Sequence, residues 1–338
     1  MKRFAASILT LLGATALMAQ TPIAFSELEG VSVGNAQNDK AKTGVTVFRF
    51  SEPATAAVTV LGGGPASRET TLLGLDRNDH PLHALVFAGG STFGLEAAEG
   101  VVACLEKNGI GYDTGYALIP LVCQSDIYDL GYGRSDIRPD KKMGYEACAK
   151  AMKSSDPRSG NVGAGTGATV GKPHGGLQAQ KSGIGYAAAK IGDLKIGVAA
   201  VVNAYGDIYY KGTKIAGMTT PDRSGLGDSA EALYGIDAEN LFTGNTTLVA
   251  VFTNGNFSGA QLKKIANMAA AGMARGIKPV FTMADGDTIY ALSVGSEKVD
   301  GSVNIAGALA AELIEEAFKD AIESSRIPDA EFLGNLVR

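Results

Sequence analysis

Glycine sets the first limit on what this chain can become. It supplies 45 of 338 residues, against the ~7% of an ordinary globular protein. The glycines do not recur every third residue, so a collagen helix is excluded. They gather instead in runs: GGG at 62–64, GGSTFG at 89–94 and GNVGAGTGATVGK at 160–172. Such runs disfavour regular helix and strand and favour tight turns and close backbone approach. Hydrophobic residues make up 45% and charged residues 19%, which speaks against a disordered chain and a polytopic membrane protein. The net charge of −5 argues against a broad basic face and a nucleic-acid partner. Cys104, Cys123 and Cys148 are odd in number and show no CxxC spacing. That argues against a disulfide scaffold or a zinc ribbon.

The chain opens MKRFAASILTLLGATALMAQ. Lys2 and Arg3 precede an uncharged, largely apolar run from Phe4 to Met18, and small residues follow. This pattern reads as a secretory signal peptide over residues 1–19, with Ala16 as a second cleavage candidate. The run is shorter than the ~20 residues of a membrane span, and no cysteine follows it to carry a lipid anchor. A secreted or periplasmic protein of residues 20–338, free of the membrane, is the expectation.

Beyond the signal, β-branched and apolar runs predict strands over 45–50, 56–61, 84–88, 117–123, 246–255 and 288–295. Two more fall within 195–210, turning near Ala204 to Gly206, while 61–70 reads as a loop. Helices are predicted from Leu95 to Asn108-Gly109, over 143–153, near 229–234, over 261–277 and over 303–323. Strands and helices are mixed along the chain, without an internal repeat. One α/β-type unit with sheets covered by helices follows.

Several motifs fail on inspection. GAGTGA at 163–168 matches the dinucleotide pattern, but TVGKPHGG follows where a helix should begin. Gly171-Lys172 resembles the end of a P-loop, yet Thr166 replaces its first glycine and Pro173 its Ser or Thr. In GGSTFG the elbow register ends on Phe93, and Ser91 and Thr92 read better as a cap entering the next helix. His80 and His83 form H-x-x-H without a third ligand and read as surface histidines; His174 reads as incidental. No cofactor and no metal are expected.

GNTTLVAVFTNG at 244–255 supports two readings. One is a Gly-Asn turn running into a strand. The other is a self-cleaving Asn245–Thr246 bond, in which the Thr246 hydroxyl attacks the Asn245 carbonyl and water releases the ester. The freed α-amine, with a pKa near ~7.7–8.0, could serve as base for its own hydroxyl. A chain with three histidines can use such a base. Asp285 and Asp287, in ADGDT, are either an acidic turn or carboxylates that orient an ammonium and a hydroxyl. Asn203, in VVNAYGD, is either a turn residue or an oxyanion-hole donor.

Taken together, GGGPASRET (62–70), FAGGSTFGLEAAEGV (87–101), IYDLGYG (127–133), GNVGAGTGATVGK (160–172), VVNAYGD (201–207), GNTTL (244–248) and ADGDTIYALS (284–293) resemble the DmpA-type aminopeptidase family. That family includes the nylon-oligomer hydrolases. The matching segments span nearly all of the mature chain, in order and with near-family spacing.

The resemblance implies an αββα sandwich, of mixed α+β or α/β class, shared with ornithine acetyltransferase. It implies a precursor that cuts itself at Asn245–Thr246 into chains 20–245 and 246–338. The new N-terminal Thr246 would be the nucleophile of an amidohydrolase or aminopeptidase acting on small peptides or amides through an acyl-enzyme. By the same resemblance Asn203 helps hold the oxyanion, Tyr128 and Lys172 line the site, and Asp285 and Asp287 stand near the nucleophile amine. The Asp, Asp and Thr set is similar to the nylon-oligomer branch rather than the β-aminopeptidase branch, which carries Ser, Glu and Ser. GNAQND at 34–39 and Cys123-Gln124 depart from commoner family wording. Family members commonly form homo-oligomers, tetramers of the two-chain unit. Two alternatives share the fold: an acyltransferase of the ornithine-acetyltransferase type, which export argues against, and a non-catalytic binding protein with the bond intact.

Overall fold

The computed structural model describes residues 20–77, 81–235 and 244–337. The signal segment expected over 1–19 lies outside them, as does His80. The main strands are β1 (Val31–Asn38), β2 (Thr43–Val60), β3 (Leu82–Ala88), β4 (Val122–Asp126), β5 (Ile184–Ile191), β6 (Leu194–Asn203), β7 (Thr246–Thr253) and β8 (Thr288–Ser293). The helices are α1 (Ala97–Lys107), α2 (Lys141–Lys153), α3 (Ser229–Tyr234), α4 (Gly259–Gly276), α5 (Val303–Ser325) and α6 (Asp329–Gly334).

One long strand joins two sheets. Residues 43–50 of β2 pair with β1 and β3, while residues 55–60 pair with β8. The first sheet runs β5-β6-β7-β8-β2 and the second β1-β2-β3-β4. Alternation along each strand divides its side chains between two faces. In β7, Leu248, Ala250 and Phe252 enter the core between the sheets, whereas Val249 and Val251 meet α4 and α5. In β3, Leu85 and Phe87 enter the same central core, whereas Ala84, Val86 and Ala88 meet α1 and α2. The layers are therefore helix, sheet, sheet, helix, as the αββα expectation has it.

Aromatic rings fill the middle. Phe48 meets Phe87 edge-on at 5.4 Å and Phe252 at 5.2 Å, each buried ring contributing about 1.5–3 kcal/mol. The outer helices begin at polar caps. Ser258 and Gln261 form a capping box at α4, and Asp140 accepts from the Met143 N–H at α2. α4 and α5 approach closely through Gly272, where a Cβ would stand 2.2 Å from the Ala311 carbonyl oxygen.

Local expectations need four corrections. Residues 45–50 and 56–61 belong to one strand, because sheet pairing carries β2 through the polar stretch between them. The strand expected over 117–123 is broken in two: Leu118–Ile119 pairs only with Tyr112–Asp113, the main-sheet strand runs 122–126, and residues 66–68 of the expected loop pair with it. Ser91 does not cap α1 with its side chain. Gly90 (φ +83) and Ser91 (φ +54) make a left-handed turn, and the Gly90 N–H donates to Asp129 instead. His83 is not a surface histidine: it is buried in β3, and its Nδ1 accepts from the Leu121 N–H at 3.0 Å.

Candidate active site

Strand directions bring distant segments to one edge of the first sheet. β6 runs antiparallel to β7, and β8 runs parallel to it. The last residue of β6, Asn203, therefore pairs with the first residue of β7, Thr246. Residues 284–287 enter β8 at the same edge, and β2 leaves it into the loop 61–65. That loop is tied down: the Leu61 and Gly62 N–H groups donate to the Asp287 carbonyl, and the Gly64 N–H to the Asp285 carbonyl at 2.8 Å.

Thr246 is buried at this edge. Its hydroxyl donates to the carbonyl oxygen of Asn245. The same oxygen accepts from the Gly286 N–H at 3.1 Å, and the Asn245 side chain donates to the Ala284 carbonyl at 3.2 Å. Gly286 leaves room for the hydroxyl. A Cβ there would lie 2.7 Å from Thr246 Oγ1 and 2.9 Å from the Gly64 carbonyl oxygen.

Asn203 and Lys172 form the neighbouring layer. Asn203 Oδ1 accepts from the Thr169 N–H at 3.0 Å and from Lys172 Nζ at 2.9 Å. Asn203 Nδ2 donates to the Tyr128 carbonyl at 3.0 Å. Lys172 Nζ also donates to the Asn203 carbonyl at 2.9 Å and the Gly244 carbonyl at 3.4 Å. The glycine run at 160–172 thus delivers a backbone donor and an ammonium to the strand ends.

The carboxylates are buried too. Asp285 accepts from the Tyr205 N–H at 3.2 Å and the Thr282 hydroxyl at 2.5 Å. Asp287 accepts from the Thr247 N–H at 2.7 Å and the Phe281 N–H at 3.0 Å. Burial pushes both carboxyls above their ordinary range, and the charge of Asp285 pushes Asp287 further. A third carboxylate, Asp129, accepts from Thr43 Oγ1 and the Gly90 N–H, both at 2.7 Å, and burial raises it to about 6.

Burial also lowers Lys172 to about 7, although Asp285, Asp129 and Asp287 pull it upward. A pH dependence of stability follows. An unfolded lysine titrates near ~10.4, so from pH about 7 to ~10.4 the unfolded chain holds the extra proton and stability rises with pH. Below that window the folded protein bears the full cost of a buried ammonium. Lys172→Met is expected to abolish this part of the rise in thermal midpoint. Parallel midpoint curves for the two proteins between pH 7 and 10 would contradict it.

A cavity of about 540 Å³ opens beside these groups, lined in part by Tyr128, Asp129, Thr169, Lys172 and Gly244. The six site residues named from sequence thus fall in one region, with Tyr128 and Lys172 on the cavity. Asp129 and Gly286 were not singled out from sequence. Both lie inside segments that were, but neither type signals a site until its neighbours are known. His174 is exposed and makes no part of this region. Among the described residues no cluster of three or more His, Cys, Asp or Glu side chains has the geometry of a metal site.

Comparison with known proteins identifies the family and the fold. The family model described as Peptidase family S58 matches residues 24–327. An uncharacterized aminopeptidase of Mycobacterium tuberculosis is 35% identical over 281 residues, covering 80% of this chain and 78% of its own. A 6-aminohexanoate-oligomer endohydrolase of Kocuria sp. is 33% identical over 315 residues, covering 87% of this chain and 84% of its own. Among solved structures, a Burkholderia sp. beta-aminopeptidase superimposes with a TM-score of 0.64 at 19% identity, covering 94% of this chain and 95% of its own. The L-aminopeptidase D-Ala-esterase/amidase of Ochrobactrum anthropi, described as a variant of the Ntn-hydrolase fold, gives 0.62 at 18% identity over 93% and 95%.

Proposed function

The chain belongs to peptidase family S58, a family of peptidase and amidase hydrolases, and on that premise we propose that it cuts itself at Asn245–Thr246 and then hydrolyses small amides with Thr246 as nucleophile. One observation carries the proposal. The Thr246 hydroxyl lies against the carbonyl of the bond to be cut, and the Gly286 N–H is bonded to that carbonyl's oxygen. A nucleophile and an oxyanion donor therefore meet on one peptide group.

In self-cleavage Thr246 Oγ adds to the Asn245 carbonyl carbon, the C–N bond breaks, and the hydroxyl proton passes to the departing nitrogen. Water then hydrolyses the ester, leaving an Asn245 carboxylate and a Thr246 α-amine. That amine, near ~7.7–8.0, takes the hydroxyl proton in each turnover, directly or through water. The oxygen attacks the substrate amide, the substrate amine leaves with the proton, and water hydrolyses the acyl-enzyme. Asp287 already holds the next amide, Thr247 N–H, so with Asp285 it is placed to orient the new ammonium. Asn203 spends one side-chain N–H on Tyr128, which leaves the other for the oxyanion. Lys172 acts as a positioning residue that holds Asn203.

Intact mass and N-terminal sequencing of the purified protein test the proposal. Two chains are expected, the smaller beginning at Thr246; one chain that persists through prolonged incubation would sink it. Gly286→Ala sharpens the test. Its Cβ would displace the Thr246 hydroxyl, so cleavage is expected to slow about a hundredfold, the scale of a reacting group misplaced by ~1 Å. Cleavage at the normal rate, followed on denaturing gels, would mean that the open space at Gly286 has no part in it.

A further inference from the structure

The family match ends at residue 327, yet residues beyond it help to close the cavity beside Lys172. Helix α6 and residues 335–337 fold onto the loop 131–133. The Val337 N–H donates to the Gly131 carbonyl at 3.1 Å, and the Gly133 N–H to the Asn335 carbonyl at 2.6 Å. The Phe332 ring stacks on Tyr132 at 5.3 Å, and Arg223 pairs with Asp329 at 2.7 Å. These anchors set Leu333, Leu336 and Val337 into the cavity lining, together with Leu177. Leu177 is 71% exposed and Val337 44%, so apolar surface stands open there. The cavity is amphipathic. Lys172 and Asp129 mark its polar part, next to Asn203, and residues 333–337 supply an apolar wall. Its volume falls within the ~300–1,000 Å³ of small-molecule sites.

We propose that residues 329–337 form the acyl-binding wall of this protein and give it a preference for amides of large apolar acyl groups, such as leucyl, over glycyl amides. The proposal rests on the reading of Thr246 as the nucleophile next to this cavity. A leucyl side chain reaches the wall and removes apolar surface from water. A glycyl group has no atoms to do so.

The test compares leucine and glycine p-nitroanilides. The unaltered protein is expected to favour the leucyl substrate in kcat/KM by at least about tenfold, the range typical of apolar pockets. Leu336→Asp should lower the leucyl-to-glycyl ratio about tenfold or more, Leu336→Ala about threefold, and Leu336→Met little. A purely structural role would slow both substrates together and leave the ratio unmoved, which would overturn the proposal, as would a glycyl preference in the unaltered protein. Calorimetric binding of leucine, which carries no amide to cut, to the protein with Thr246 intact gives a readout independent of hydrolysis. Adding Leu336→Ala or Leu336→Asp should weaken that binding, and equal affinities would overturn the wall. Binding that depends on residue 336, in a protein that hydrolyses neither substrate, would uphold the wall and overturn the nucleophile. Hydrolysis blind to residue 336 would do the reverse.

Discussion

Thr246→Ala is expected to remain one chain and to lose amide hydrolysis by about 10⁴-fold or more, the scale seen when a nucleophile is removed. The substitution takes away one hydroxyl and one methyl from a buried strand end. The hydrogen bond from Gly286 to the Asn245 carbonyl stays, so the peptide group is still polarised, but nothing attacks it. Both effects have one cause, and two measurements separate them. Intact mass reports cleavage, and hydrolysis of aminoacyl p-nitroanilides reports turnover. Thr246→Ser keeps a hydroxyl and should retain both. Wild-type turnover in Thr246→Ala would place the nucleophile elsewhere. The same assay, run with an added amine acceptor, counts acyl transfer against hydrolysis. Transfer dominating over hydrolysis would mark an acyltransferase instead.

The parts of the site that were legible in sequence sit where an element starts or stops. Asn203 closes an apolar run, Thr246 opens one, and Asp285 and Asp287 precede another. Turn residues mark those boundaries because their backbone needs are local. What sequence could not show is that the boundaries coincide in space. That depends on β6 running against β7 and β8 running with it, which periodicity does not encode.

Other elements were hidden for a different reason. β1 reads VSVGNAQN, and its polar residues look like a loop. Asn35 is nonetheless buried, because its amide donates to the Asp156 carbonyl at 2.8 Å and its Oδ1 accepts from Thr46 at 2.7 Å. β4 carries Gln124, Ser125 and Asp126 inside the protein. Gln124 accepts from the Ala98 N–H and donates to the Gly94 carbonyl, and Ser125 bonds to the Tyr290 hydroxyl. Buried polar groups survive when they are hydrogen-bonded; Gln124 also donates to Asp126 two residues on, but the other partners lie 11 to 165 residues away. The apolar residues just before β4 misled in the opposite sense. Leu118 and Ile119 are exposed and pair only with Tyr112–Asp113 in a two-stranded ribbon, so an apolar run drew the expected main strand toward the surface. β5, IGYAAAKI, has only Ile184, Tyr186 and Ile191 as strand formers, with alanines between them. It is held as a strand by full pairing with β6 and by Thr21–Pro22 on its other side.

Asn203→Ala is expected to lower kcat by about 10²–10³, with a smaller effect on KM, the magnitude for losing one side-chain oxyanion donor. Two explanations for such a loss have to be told apart. Alanine removes the amide, but it also leaves the Thr169 N–H without its acceptor and takes one bond each from the Tyr128 carbonyl and Lys172. Each buried group left unpaired costs about 1–3 kcal/mol, so a fall in thermal midpoint will accompany the fall in rate. Asn203→Asp separates the causes. One carboxylate oxygen still accepts from Thr169 and Lys172. The other replaces the donor Nδ2 with an acceptor facing the Tyr128 carbonyl, and it has no hydrogen for an oxyanion. The new charge would also draw the Lys172 pKa upward from about 7, because an opposite charge favours the ammonium. If Asn203 serves the oxyanion, Asn203→Asp will be as slow as Asn203→Ala wherever its carboxylate is ionised, even with Lys172 held in place. If Asn203 only positions Lys172, aspartate will recover most of kcat, and its pH profile will move with the lysine.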